Sequence, residues 1–443
     1  MQHGDHPKLS RHFPEASIDR LTRPVSQFLR IEAASGVLLA LCAVVALVVA
    51  NSSLFPAWQE FWQRDFTIGG GALVLSYPRW YWVNDALMAI FFFVVGLEIK
   101  RELVDGHLAD RSKVLLPVVA ALGGALVPAG LFYLLQRGTP GVQGWAIPMA
   151  TDIAFVVGAL ALLGKRIPPA LKVLLLSLAI VDDLLAVGVI AFFFAESISP
   201  LWLGGSVTGI VLILILQRVG VRRVGVYVLV GVALWLCTLK SGLHPTIAGV
   251  ILGLLTPARP WLSRAAVSQL VTDAQTALEE SDRNQNAPTA VLDPLALGAK
   301  EAISPLERLE HSLHPYVGFL IMPIFALANS GVPISMEQLS HPLSLSIAGS
   351  LLVGKPLGIC FAAWLAVRFG GSSLPKGVNW KAMLGAGVLC GTGFTMSLFI
   401  ASFSFEGPTV DAARTGVLLG SAASLVLGMA LLAWTLKRPA PGA

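Results

Sequence analysis

Apolar residues in this chain fall into twelve blocks, beginning near Ile31, Tyr81, Val114, Trp145, Pro169, Leu201, Val224, Leu243, Leu313, Leu345, Ala382 and Val410. A helix needs roughly 20 mainly apolar residues to cross about 30 Å of hydrocarbon, and most of the blocks reach that length. The fourth and eighth are short, and several others carry Gly or Pro inside. The pattern predicts an all-α polytopic membrane protein with about 12 transmembrane helices, the even number placing both termini on one side. Residues 1–30 then form a tail, 31–436 the transmembrane domain and 437–443 a second tail. Two connections exceed a minimal loop. At about 64–77, the string FTIGGGALVLS from Phe66 to Ser76 sets two β-prone runs around three glycines, which suits an external β-hairpin or a plain loop. The stretch at about 257–310, rich in Ala, Glu, Asp, Asn and Pro, is expected to form one loose helix followed by disorder.

Composition supports the same class. Of the 443 residues 55% are hydrophobic and 13% charged, against soluble averages of about 45–50% and 25%. Those values exclude a water-soluble globule and a disordered chain, and four cysteines are too few for a disulfide scaffold. Cys42, Cys237, Cys360 and Cys390 sit within apolar stretches and read as small core residues without a redox role. The leader has no apolar core before Ile31, so it is expected to be a cytoplasmic tail and not a cleaved signal.

A net charge of +5 would suit a nucleic-acid partner, but its distribution points to a lipid bilayer. Twenty-five Lys and Arg fall on the side of the termini and five (Arg64, Arg79, Arg137, Lys240, Arg414) on the other, with Lys355 left within a span. Cytoplasmic loops carry such an excess, so both termini are expected to be cytoplasmic and no nucleic acid is required.

Ionisable residues inside spans cost about 2.5–3.5 kcal/mol each on insertion scales, and those that persist face a partner or water. Here they cluster. Asp182 and Asp183 stand mid-way along the fifth block (LSLAIVDDLLAVGVIAFFF), Thr151 and Asp152 in the fourth, Lys355 in the tenth, and Asp85, Glu98 and Glu102 along the second. Neighbours on a helix are about 100° apart and can share one polar sector. Two carboxylates in a low-dielectric site do not both ionise cheaply, so they titrate as a coupled unit. Once ionised they are hard oxygen ligands for a hard cation, with the Thr151 hydroxyl as a neutral addition. Protons and a cation would compete for the same oxygens, the minimal requirement of an exchanger. Lys355 serves either as a static salt-bridge partner or as a counterion to Asp182 or Asp152, and spacing does not choose between them.

Backbone punctuation marks the same depth. Pro148 precedes Thr151, and Gly391 and Gly393 flank Thr392 in the eleventh block. Such interruptions suit paired discontinuous helices with free carbonyls at the midplane, although a glycine pair also serves tight packing. Glu98 and Glu102 share a helix face at i, i+4 near Lys100, Arg101 and His107, as a solvated helix end or an acidic cation-collecting funnel. His244, Glu310, His311 and His314 invite the same two readings, since histidine titrates near neutrality.

These residues resemble the NhaA sodium/proton antiporters. The matching strings are WVNDALMAIFFFVVGLEIKREL, MATDIAFVVGALALLG, LAIVDDL, KSGLHPTIAGVI, RLEHSLHP, FALANSGV, GKPLGI and GTGFTMSLFIASF, running from about Ile31 to about Leu436. The resemblance implies inverted repeats with crossed discontinuous fourth and eleventh helices, an architecture for which this family is a standing example. It also implies Asp182 and Asp183 as the cation and proton site with Thr151 beside them, and Asp152 and Lys355 as charge compensation for the helix ends, Lys355 pairing with Asp182 in the cation-free state. Glu98, Glu102, His244 and Glu310 match positions tied to the cytoplasmic funnel or pH activation, and the hairpin near Phe66 to Ser76 matches a homodimer contact. The implied activity is electrogenic, pH-regulated export of Na⁺ or Li⁺ against inward protons in the bacterial inner membrane, for sodium and pH homeostasis, with no cofactor and no enzymatic reaction. Two departures stand out: the long stretch from Pro257 to Glu310, and Thr392 where an apolar residue is common.

Three other functions compete. An intramembrane aspartyl protease needs acids facing each other from different helices, typically one in Gly-x-Gly-Asp, whereas Asp182 and Asp183 are adjacent and Gly391-Thr392-Gly393 is followed by Phe394. A sodium-coupled symporter needs a solute pocket, which the sequence does not display. A channel would conduct without proton coupling.

Overall fold

The computed structural model describes residues 32–436 apart from 71–72, 105, 107–110, 196 and 285–288. Both expected tails and His107 lie outside the described residues. The chain is helical throughout except for one β-hairpin. In order come α1 (Glu32–Ala50), α2 (Phe55–Gln63), β1 (Asp65–Gly70), β2 (Leu73–Pro78), α3 (Arg79–Val104) and α4 (Arg111–Leu135). Next are α5 (Ile153–Leu163), α6 (Pro169–Phe193), α7 (Pro200–Val219), α8 (Val224–Ser241) and α9 (Thr246–Leu255). They are followed by α10 (Arg264–Asn284), α11 (Thr289–Glu301), α12 (Pro305–Asn329), α13 (Met336–Ser340) and α14 (Pro342–Phe369). Last are α15 (Trp380–Cys390), α16 (Phe394–Ser404) and α17 (Pro408–Thr435). Proline opens α6, α7, α12, α14 and α17, where its missing N–H is no loss.

Among the described residues, eight helices are long and apolar enough to cross a membrane, or up to eleven if each bent pair is one span. The expected twelve are not reached by length and composition. α9 has only 10 residues, about 15 Å of rise, and α2 turns 115° away from the first helix. The bent pairs further along coincide with the predicted interruptions: Pro140–Met149 meets α5 at 43°, and α15 meets α16 at 44°.

The hairpin forms as expected, its strands pairing antiparallel with Phe66 opposite Tyr77 and Thr67 opposite Ser76. The Thr67 and Ser76 hydroxyls lie 2.7 Å apart across the ladder. The stretch at 257–310 differs from expectation, because it holds two helices, α10 and α11, instead of one. The Trp261 and Leu262 amides donate to the Glu301 carbonyl and close the stretch on itself, and Arg222, stacked on Trp261 and 3.3 Å from Glu301 Oε2, joins it to the bundle. The second helix is largely apolar but carries Pro294 and Gly298 inside it, residues that ordinarily end a helical pattern.

Helices approach closely where side chains are absent. α3 packs on α9 through Gly96, Gly249 and Gly253; a Cβ on Gly96 would stand 2.7 Å from the Val250 carbonyl oxygen. α4 packs on α14 through Gly123 and Gly358, each of which lies on the other's backbone. Without a hydrophobic drive between helices in lipid, such small-residue contacts supply the association. The outer surface carries large exposed apolar side chains, among them Leu126, Phe192, Leu201, Leu229, Phe369 and Trp434, as a lipid-facing surface requires. Replacing Gly358 by Val is expected to destabilise the α4–α14 contact by about 1–3 kcal/mol through overpacking. Gly130→Ala, inside α4 with nothing within 4 Å of its Cβ, should be stabilising by up to about 1 kcal/mol, and thermal unfolding of the detergent-purified proteins compares the two.

Candidate functional site

Two broken spans meet at their breaks. Before α5 the chain runs as two 3₁₀ turns, Pro140–Gly144 and Ile147–Met149, and then extends through Ala150 to Asp152. α15 ends at Cys390 and α16 begins at Phe394, with Gly391, Thr392 and Gly393 between. The Asp152 amide donates to the Thr392 carbonyl at 2.7 Å, joining one break to the other.

Each break leaves helix ends with unpaired backbone groups and partial charge. At the positive ends stands Asp152. Its Oδ1 accepts from the Phe155 amide at 3.2 Å, capping α5, and its Oδ2 accepts from the Thr395 amide at 2.9 Å and the Thr395 hydroxyl at 2.5 Å, capping α16. One carboxylate thus serves two half-helix N-termini. At the carbonyl ends stand donors: Lys355 Nζ donates to the Met149 carbonyl, and Thr151 Oγ1 lies 3.1 Å from the Cys390 carbonyl. Ser397 Oγ donates to the Ile147 carbonyl at 2.7 Å.

The acid pair lies against this junction. Asp182 and Asp183 are buried on α6, and Lys355 is fully buried. Lys355 Nζ is 2.7 Å from Asp182 Oδ2, which Thr151 Oγ1 also approaches to 2.6 Å. A hydroxyl has one proton to donate, so Thr151 serves either Asp182 or Cys390 at one moment and keeps lone pairs for a cation. Oδ1 of Asp182 and Oδ1 of Asp183 are buried with no hydrogen-bond partner. The charges of Asp182, Glu98 and Asp152 all reach Asp183. The arrangement therefore offers two carboxylate oxygens without donors, a hydroxyl, and an ammonium that must share Asp182 with any incoming cation. Among the described residues no group of three or more His, Cys, Asp or Glu suits a multivalent metal; a weakly charged alkali ion does not need one.

The remaining candidates divide between two places. Arg101 pairs with the buried Glu310, and Glu98 and Glu102 lie within charge range of that pair at the C-terminal end of α3. His311 and His314 are exposed on α12. His244 stands apart from these acids, with Nε2 3.4 Å from Asp85 Oδ1 and its ring against Phe403. The structure pairs Lys355 with Asp182 and leaves Asp152 to the helix ends. Thr392 is buried in the junction with its hydroxyl unpartnered. Thr395, which holds Asp152 with two donors, escaped the sequence reading, as did the Met149 and Cys390 carbonyls. The available signal was a threonine just past the Gly391–Gly393 interruption.

A polytopic helical protein with an acid pair and a lysine buried where two broken helices touch belongs to the class of membrane ion transporters. The chain belongs to the NhaA family of Na⁺/H⁺ antiporters: the sequence profile described as Na⁺/H⁺ antiporter 1 matches residues 26–432. It is 48% identical to the Na⁺/H⁺ antiporter NhaA of Rhodopirellula baltica over 96% of this chain and 97% of that one. It is 45% identical to Na⁺/H⁺ antiporter NhaA 2 of Acidiphilium cryptum over 95% and 94%. The solved structure of the sodium proton antiporter MjNhaP1 from Methanocaldococcus jannaschii at pH 8 aligns with a TM-score of 0.46 at 16% identity, over 95% of this chain and 96% of that one.

Removing the Thr395 hydroxyl takes a charge-assisted donor from a buried carboxylate, worth about 1.5–3 kcal/mol. Thr395→Val is accordingly expected to unfold at lower temperature and to exchange ions more slowly, whereas Thr395→Ser should stay near wild type in both assays.

Proposed function

We propose that the protein is a secondary antiporter that carries Na⁺ or Li⁺ out of the cell in exchange for protons moving inward. The observation that carries this reading is the buried Asp182–Asp183 pair, with one oxygen on each acid lacking a donor and Lys355 on Asp182. When a cation enters, Asp183 gives up its proton, Asp182 and Asp183 ligate the ion with Thr151 Oγ1, and Lys355 leaves Asp182 and releases its own proton. When the cation leaves, protons and the Lys355 ammonium restore neutrality. Cation and protons are alternatives on one set of oxygens, and that competition is the coupling.

Asp152 and Lys355 balance the ends of two crossed discontinuous helices, within twelve spans arranged as inverted repeats, α1, α9 and the two broken spans that meet at the junction counting with the eight long helices. More protons than sodium ions move per cycle, so the cycle is driven by a membrane potential worth about 2.3 kcal/mol per charge per 100 mV. Glu98, Glu102 and Glu310 form a cytoplasmic funnel that gathers cations and, with His244, tunes the pH response. The protein sits in the inner membrane with both termini cytoplasmic and pairs with a second copy through the β1–β2 hairpin. Its roles are sodium and pH homeostasis, and it needs no cofactor.

In everted vesicles, adding Na⁺ or Li⁺ should collapse an established proton gradient. Asp183→Asn should abolish that response, and persistent exchange in this variant would refute the reading. Because protons occupy the cation's oxygens, the apparent KM for Na⁺ should rise as pH falls. A KM independent of pH would show that the two do not share a site.

A further inference from the structure

The proposed exchange uses acids at the middle and cytoplasmic end of the bundle and assigns nothing to Asp85, which lies toward the opposite end of α3. Asp85 is only 4% exposed, as deep as many core side chains. It lies six residues in from the start of α3, about 9 Å along the helix, and the basic loops are at the other end. Glu98 is thirteen residues further on, about 20 Å away along the same helix. One helix thus carries both Asp85 and Glu98, and the charge of Glu98 reaches Asp183.

Three features around Asp85 go beyond a single acid. The backbone from Trp82 to Leu87 is a π-helical turn, which packs Val83, Asn84 and Asp85 inward together; such turns cost helix geometry and occur frequently at functional sites. Asn84 is fully buried, and its Nδ2 donates to the Trp80 carbonyl at 2.9 Å. That bond turns Oδ1 away from the helix's own carbonyls, and Oδ1 has no hydrogen-bond partner. His244 faces Asp85 from the start of α9. Its Nδ1 is 2.6 Å from Thr246 Oγ1 and accepts from the Thr246 amide, which leaves Nε2 toward Asp85, 3.4 Å from Oδ1 but in no hydrogen bond. Also against this place are Trp235, whose Nε1 donates to the Asp85 carbonyl, and the Phe399 and Phe403 rings of α16 on the imidazole.

We propose that Asn84 and Asp85 form a second binding place for the transported monovalent cation, a way-station between the central acid pair and the face opposite the basic loops. A carboxylate beside an unpartnered amide oxygen is a hard, singly charged donor set, suited to an alkali ion and too sparse for a divalent one. Phe399, in contact with both His244 and Phe92, separates this place from the centre by an apolar step. Phe92 and Phe399 are both fully buried, so the cation passes from one set of oxygens to the other when these rings move with α16.

The inference rests on the exchange reading, and its test separates the two. Proteoliposomes with oriented protein report the KM for Na⁺ at each face. Asp85→Asn should raise the KM at the outward face about tenfold, equivalent to about 1.4 kcal/mol, while the value at the cytoplasmic face stays within about twofold. Asn84→Asp, which adds a charge, should lower the outward value. In an Asp183→Asn background, where the central site is crippled, Na⁺ should still raise the unfolding temperature relative to choline, and adding Asp85→Asn should remove that shift. Equal KM changes at both faces, or a Na⁺-induced shift indifferent to Asp85, would overturn the way-station and leave the exchanger intact. Absence of Na⁺-driven proton movement in the wild type would overturn the exchange reading itself.

Discussion

Lipid offers no hydrogen bonds, so a membrane helix that breaks must find partners for its freed backbone groups within the protein. Three polar side chains of the central junction meet that constraint directly. Asp152 reaches the N-termini of α5 and α16 together, Lys355 takes the Met149 carbonyl, and Ser397 takes the Ile147 carbonyl. Without such partners two interrupted spans in contact would be a severe local cost, several kcal/mol for each unsatisfied group. With them, the interruption becomes a place where oxygen atoms stand at depth in an otherwise apolar bundle.

The same economy leaves the acid pair poised. Asp152 is saturated with donors, whereas Asp182 has the ammonium on one oxygen only and Asp183 keeps a buried oxygen without a donor. The difference is physical: a carboxylate with three donors has no reason to exchange partners, and one with an unmet oxygen does. Thr151, within reach of both Asp182 and the Cys390 carbonyl, couples that exchange to the backbone of the neighbouring half-helix. A change of occupant at Asp182 can thereby be felt where α15 ends, because interfaces of packed helices shift between discrete arrangements and do not deform continuously.

Close helix contacts give the junction a firm surround. Gly96, Gly249 and Gly253 bring α3 against α9, and Gly123 and Gly358 bring α4 against α14, directly behind Lys355. Lys100 completes the short α9 by donating to the Leu254 carbonyl at 2.6 Å. A 10-residue helix survives among longer ones because its ends are held by its neighbours.

Much of this was legible along the chain. Apolar blocks announce spans because each must meet lipid with its own contiguous residues, and Pro148 with Gly391 and Gly393 announces the breaks because backbone freedom is a local property. Asp182, Asp183, Thr151 and Lys355 stand out because charge within an apolar block is costly wherever the block lies. What the sequence left open are the pairings. Lys355 had two eligible acids, and Asp182 received it only because α14 and α6 converge there across 173 positions. Thr395 meets Asp152 across 243, and His244 meets Asp85 only because glycines let α9 lie against α3. Residue type and periodicity thus determine which elements form and which groups must find partners, while distances between remote segments, set by packing in three dimensions, decide which partners they find.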